Sequence, residues 1–212
     1  NASLSCLALK LADQCGRKLT SMDKLQAVFR GRHARKVQVK AYEENRDIAC
    51  LFVSSGVITQ SLLDLLETEG LLGDGSVFHD VGCGNGDIMV SVSKRFRVHS
   101  YGIDIDPLLI QTVQRQAREQ GVGDLVHAQV GDVINVDLTS PPADVVYLFL
   151  IPHCLVHVSK IILQSCPKGT AVIAYKYQLP EEDGWKPIKV VETVDVLKPQ
   201  EEFKEFIYLY RV

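Results

Sequence analysis

The chain has no apolar run long enough to cross a bilayer. Its longest aliphatic cluster around Leu148-Phe149-Leu150-Ile151-Pro152 falls far short of the roughly 20 residues a spanning helix needs, so no transmembrane segment is expected. It also has no C-x-x-C pair. Its six cysteines, at positions 6, 15, 50, 83, 154 and 166, sit in apolar or helical stretches. That pattern argues against a disulfide framework and reads as reduced core thiols in an intracellular reducing compartment. No internal repeat or low-complexity tract is visible, and 212 residues suffice for one buried α/β core.

Charge is present but uneven. Through Arg46 there are ten Lys and Arg against four Asp and Glu; beyond it there are thirteen against twenty-two, and the whole chain carries −3. This divides the chain into a basic, mainly helical extension, residues 1–54, and a main domain, residues 55–212. The densest stretch, Arg30-Gly31-Arg32-His33-Ala34-Arg35-Lys36, reads first as a solvated leader. The basic segment 30–40 is otherwise a contact for nucleic acid or a large complex. No aromatic residues interleave these charges, so a base-stacking platform is not indicated.

The run Val77-Phe78-His79-Asp80-Val81-Gly82-Cys83-Gly84-Asn85-Gly86-Asp87 carries most of the chemistry. A short apolar strand leads into three glycines at alternate positions, where the backbone can turn sharply and approach a ligand. Gly86 opens the next helix. A second apolar run, 98–105, brings Asp104 to where a strand end delivers a carboxylate to the hydroxyls of a ribose. Alternate spacing displaces the third glycine from the dinucleotide G-x-G-x-x-G pattern. Asp80, ahead of the glycines, would repel a pyrophosphate but accept hydrogen bonds from an ammonium group.

Periodicity and breakers supply the rest. A helix is expected over 59–69, another from Pro107 to near Gly121, and a third after Pro152. Strands are expected at 125–130, 144–150 and 170–177, followed by a terminal antiparallel pair at 188–196 and 203–212. Strands alternating with helices imply a doubly wound parallel sheet.

The segment from Asp80 to Gly86, with Asp104, resembles the D-x-G-x-G-x-G first motif and acidic second motif of class I S-adenosylmethionine-dependent methyltransferases. The resemblance implies a seven-stranded Rossmann-like sheet of order 3-2-1-4-5-7-6 and S-adenosylmethionine as cofactor. The candidate cofactor residues are Asp80, Gly82, Cys83, Gly84, Gly86, Asp104 and Ile105. Asp132 and Val133 join them, because Gly131-Asp132-Val133 resembles the segment whose carboxylate meets the adenine amino group. No metal is required. Asp106 reads as a helix N-cap rather than a ribose ligand.

The end of the fourth strand lacks the D/N-P-P-Y/F/W segment of many amino-methylating enzymes, which disfavours adenine, glutamine and many cytosine-amino acceptors. Val146-Tyr147-Leu148-Phe149-Leu150-Ile151-Pro152, Tyr177-Gln178-Leu179-Pro180 and Trp185-Lys186-Pro187 resemble instead the small mitochondrial protein-lysine methyltransferases acting on adenine nucleotide translocase and the ATP synthase c-subunit. That resemblance spans about residues 55–212. It implies a protein acceptor and favours the mitochondrial matrix, with the cytoplasm as the alternative. Pro152 and Trp185 are the candidate acceptor-site residues, and His153 and Tyr147 the candidates for proton acceptance. Competing readings are an RNA or small-molecule methyltransferase and a non-catalytic methyltransferase-fold subunit of a larger complex.

Overall fold

The computed structural model describes residues 56–194 and 204–212. The basic extension, 1–54, with its expected helices and its 30–40 segment, lies outside the described residues.

Among the described residues a seven-stranded sheet forms the centre. In chain order the elements are α1 (Gly56–Thr68), β1 (Val77–Val81), α2 (Asp87–Phe96), β2 (His99–Asp104), α3 (Pro107–Glu119), β3 (Val126–Val130), β4 (Val145–Leu148), α4 (Pro152–Ser165), β5 (Ala171–Tyr175), β6 (Lys189–Val194) and β7 (Lys204–Arg211). The strand order is β3-β2-β1-β4-β5-β7-β6. The first five strands pair in parallel, and β7 enters antiparallel between β5 and β6. This is the expected order. Strands β2 to β5 are one to three residues shorter than their apolar runs because the flanking residues serve the turns.

Side-chain alternation gives the sheet two apolar faces. Phe78, Val145, Tyr147, Ile173 and Ile207 pack under α1 and α2, where Leu62 and Leu66 are fully buried. Val81, Val146, Leu148, Val172 and Ala174 pack under α4 through Leu155, Val158 and Ile162. Strands buried on both faces read as near-continuous apolar runs, which β4 and β5 do.

The helix ends follow local chemistry. Pro107 is the first residue of α3, and Asp106 before it accepts from the Leu108 N–H at 2.8 Å, an N-cap as the sequence suggests. The crossover from β3 to β4 is unusual in holding only a three-residue helical turn, Val133–Asn135. It leaves a cleft of about 480 Å³ on the α4 side of β1, β2 and β3. There the rings of His79, Tyr101 and His127 form a row with centroids 5.4 and 4.7 Å apart.

Candidate cofactor and acceptor site

The glycine turn begins where β1 ends. Gly82, Gly84 and Gly86 all have positive φ, at 86°, 54° and 83°. At two of them space is also short. A Cβ on Gly82 would lie 2.7 Å from Leu150 Cδ2, and one on Gly86 would lie 2.6 Å from Val113 Cγ1. The turn is pinned to β2, since the N–H groups of Gly82 and Cys83 both donate to the Ile103 carbonyl at 2.9 Å. Gly86 then caps α2, whose first residue, Asp87, accepts from the Asn85 amide at 2.8 Å.

Asp104 ends β2 with its carboxylate held from both sides. Oδ2 accepts from the Gly84 N–H at 2.9 Å and Oδ1 from the Asp106 N–H at 3.0 Å. Ile105, half-buried, lends its own N–H to the same carboxylate. Burial raises the Asp104 pKa, and these backbone donors oppose the rise. Each carboxylate oxygen keeps a further lone pair for a ligand hydroxyl.

Asp80 is 3% exposed. Burial, and secondarily the charge of Asp104, push its carboxyl up to about 8. Burial and then the same two carboxylates raise the Cys83 thiol well above its ordinary value, so it stays protonated and unreactive. Two carboxyl groups confined side by side, with a wall of backbone N–H groups and no side-chain cation among the charge partners of either, suit a ligand that brings its own positive charge. An ammonium and a sulfonium on one nucleoside meet that requirement. The residues present therefore fit the group that the glycine spacing suggests.

Asp132 follows β3 and caps the short turn, accepting from the Ile134 N–H at 3.1 Å. It and Val133 are half-buried. Val133 is among the side chains nearest a Cβ built on Gly82, with Leu150, so Asp132 and Val133 border the same rim as the glycines.

The four remaining candidates are dispersed. Tyr147, 1% exposed, pairs across the sheet with Asp80 and points into the core under α1 and α2, its ring 6.5 Å from Phe78. His153 is exposed on the first turn of α4, on the other face of the sheet, with its ring 5.0 Å from His157. The structure does not bring these two to one point. Pro152 is the exposed first residue of α4. Trp185 is 2% exposed, edge-on to Tyr210 at 5.7 Å within the α4 core cluster.

Sequence reasoning missed a cluster beside β4. Phe149, half-buried just after β4, meets Tyr175 edge-on at 4.6 Å. The Tyr175 hydroxyl donates to Glu205 Oε2, and Lys176 Nζ lies 3.3 Å from Glu205 Oε1. Lys176 has φ 70°, a left-handed backbone at a non-glycine residue. Alternation puts Tyr147 and Phe149 on one face, and the same count down β5 places Tyr175 there. What could not be read was the register that brings Glu205 across from β7, because it depends on the inserted antiparallel strand.

A sheet of this order, carrying a glycine turn between two buried carboxylates at its carboxyl rim, defines a class I S-adenosylmethionine-dependent methyltransferase. S-adenosylmethionine is its cofactor. The ANTKMT methyltransferase domain model matches residues 80–189, just over half the chain, and the chain belongs to that family. A protein-lysine N-methyltransferase of Saccharolobus islandicus is 25% identical over 120 residues, 56% of this chain and 71% of that protein. The ajmaline N-methyltransferase of Rauvolfia serpentina is 33% identical over 118 residues, 51% of this chain and 40% of that enzyme, so the match spans well under half of the plant protein. Among solved structures, an RNA methyltransferase from Salinibacter ruber in complex with S-adenosyl-L-homocysteine shares the fold, with TM-score 0.64 and 24% identity, covering 76% of this chain and 94% of that one.

Proposed function

We propose that the enzyme methylates a lysine side chain of a protein, and that the cofactor is held by Asp80, Gly82, Cys83, Gly84, Gly86, Asp104, Ile105, Asp132 and Val133. Asp104 binds the ribose hydroxyls, Asp132 the adenine edge, and Asp80 the ammonium of the methionine part. The cofactor supplies a methyl group on a positively charged sulfur, ready for in-line displacement. The chain's own residues contribute alignment and exclusion of water. Backbone N–H groups of the glycine turn fix one wall, and Phe149, Leu150 and Ile151 make the rim beyond β4 apolar. An apolar rim beside a positive centre depresses the pKa of an incoming amine, which frees the lone pair for attack. Pro152, the first residue of α4, belongs to this end of the site by position, whereas Trp185 packs on Tyr210 in the core under α4 and would act on the acceptor site only through that packing. His153, exposed on the first turn of α4, is the group that takes the released proton through water, and Tyr147 adjoins Asp80.

The observation that carries the acceptor reading is the aliphatic exit of β4, Leu148-Phe149-Leu150-Ile151-Pro152, which has no polar clamp for a planar amide or nucleobase amine. Family membership and the protein-lysine relative support it. The mitochondrial matrix is the compartment this reading favours, by family resemblance. The test is radiolabelled methyl transfer into fractionated mitochondrial and cytosolic extracts, followed by protease or nuclease. Protease-sensitive label, recovered as methyl-lysine from the mitochondrial fraction, is the expected result. Label lost to nuclease rejects it, and cofactor binding without any labelling favours a non-catalytic subunit.

A further inference from the structure

The cluster beside β4 is unused by the cofactor reading, yet it sits at the carboxyl ends of β4 and β5, the rim where open α/β sheets receive ligands. Glu205 is attached there by two contacts. Its Oε2 accepts from the buried Tyr175 hydroxyl, and its Oε1 lies 3.3 Å from the Lys176 ammonium. The Glu205 side chain is 19% exposed, so the carboxylate is mostly withdrawn from water but still open on one side. The Phe149 ring, edge-on to Tyr175, lies between this carboxylate's anchor and the exit of β4.

Lys176 shows what chemistry the carboxylate accepts, because an alkylammonium already rests on it. That lysine is also 6.0 Å from the centre of the Tyr177 ring. Its left-handed backbone is a costly conformation at a residue with a Cβ, and such outliers are kept where the surroundings over-determine them. The Lys176 N–H is bound to the Phe206 carbonyl at 2.8 Å, which ties the outlier to the strand that carries Glu205.

We propose that Glu205 is the specificity-determining carboxylate of the acceptor site, receiving the charged side chain of the incoming lysine in place of Lys176 before that amine passes its proton to solvent water and moves along Phe149 to the end of β4. The inference rests on the protein-lysine reading above and deepens it. Tyr175 acts as a positioning residue, holding the carboxylate through its hydroxyl. A partly desolvated carboxylate discriminates against neutral acceptors because only a cation offsets the cost of its burial. β7 lies two strands from β4, about 10 Å at ordinary strand spacing, so Glu205 selects the amine without touching the reacting carbon.

The test uses the whole chain saturated with S-adenosylhomocysteine, with n-butylammonium as probe, n-butanol as neutral control and saturation-transfer NMR as readout. Wild type is expected to show transfer to butylammonium and none to butanol. Glu205→Gln should lower that transfer at least fivefold, and Lys176→Met, which removes the competing internal cation, should raise it. Calorimetry with S-adenosylhomocysteine should give the same affinity for all three proteins, which excludes general damage. Equal butylammonium signals in wild type and Glu205→Gln, or transfer to butanol as strong as to the amine, overturn the proposal. With the labelled extract as acceptor, Glu205→Gln should raise KM about tenfold with little change in kcat. Nuclease-sensitive label overturns the lysine reading and this inference with it. Protease-sensitive label together with an unaltered Glu205→Gln overturns the role of the carboxylate alone.

Discussion

Asp80 and Asp104 both lie at strand ends under the glycine turn, but their surroundings assign them different work. Asp104 is satisfied by backbone N–H groups, so it stays a ready acceptor, whereas Asp80 has its carboxyl pushed up to about 8. Its unfolded value is near 3.8, so between about pH 4 and 8 the native chain holds a proton there that the unfolded chain has released. Stability contributed by this group is full below that window and is lost as pH rises through it. Asp80→Asn should flatten the decline, as read by urea denaturation from pH 5 to 8. A positively charged cofactor favours the ionised carboxylate, so affinity should climb across pH 6 to 8 with proton release, seen by calorimetry in buffers of different ionisation enthalpy. Asp80→Asn should abolish that release. Asp104→Ala removes the bonds proposed to ribose and the partner of the Gly84 N–H; cofactor affinity should fall by about 10- to 100-fold, on the scale of 1.5–3 kcal/mol for a charged hydrogen-bond partner. Binding indifferent to this change would remove Asp104 from the site.

The elements were legible in proportion to how local their causes are. Pro107 with Asp106, the glycine at the start of α2, and the apolar runs of β1 to β5 are short-range signals, and each appears within two residues of its expected place. The cofactor rim was legible for the same reason, since Asp80 to Gly86 is one continuous segment and Asp104 one strand away. The Phe149, Tyr175 and Glu205 cluster was not, because it joins three strands across an inserted antiparallel partner. Trp185 and Tyr147 were legible as aromatic residues of the segments that carry the family resemblance but not in their orientation, which packing decides. At the junction of the turn and α2, Gly86→Ala meets both a left-handed backbone and Val113 Cγ1 at 2.6 Å. The cost should be about 2–4 kcal/mol, from backbone strain and overpacking together. Val113→Ala should recover part of it, and a double-mutant cycle by denaturant unfolding would show the coupling. Strict additivity would disprove the clash.

For the whole molecule, the sheet, the turn and α2 and α3 share the cofactor rim, so ligand binding should tighten the entire domain. At S-adenosylhomocysteine concentrations about 100 times Kd, linkage gives roughly 2.7 kcal/mol, a Tm rise of about 5–10 °C for a chain of this size. Scanning calorimetry should show one transition moving as a unit. A shift confined to part of the transition would mean that the site is built on a separable piece.

The crowding around the glycines bears on how this sequence can change over time. Cβ positions on Gly82, Gly86 and Gly131 are each blocked at under 3 Å by a single side chain, belonging to Leu150, Val113 and Ile103 in turn, and one on Gly102 is blocked by both Met89 and Cys83. At Gly82 and Gly86 the left-handed backbone also opposes a side chain, but at Gly102 and Gly131 space is the obstacle, so an alanine there is eased when its neighbour is trimmed first and the order of substitutions matters. Descendants of this chain are expected to drift at the wall before the turn, and a relative that has lost one of these glycines should carry a smaller residue opposite it.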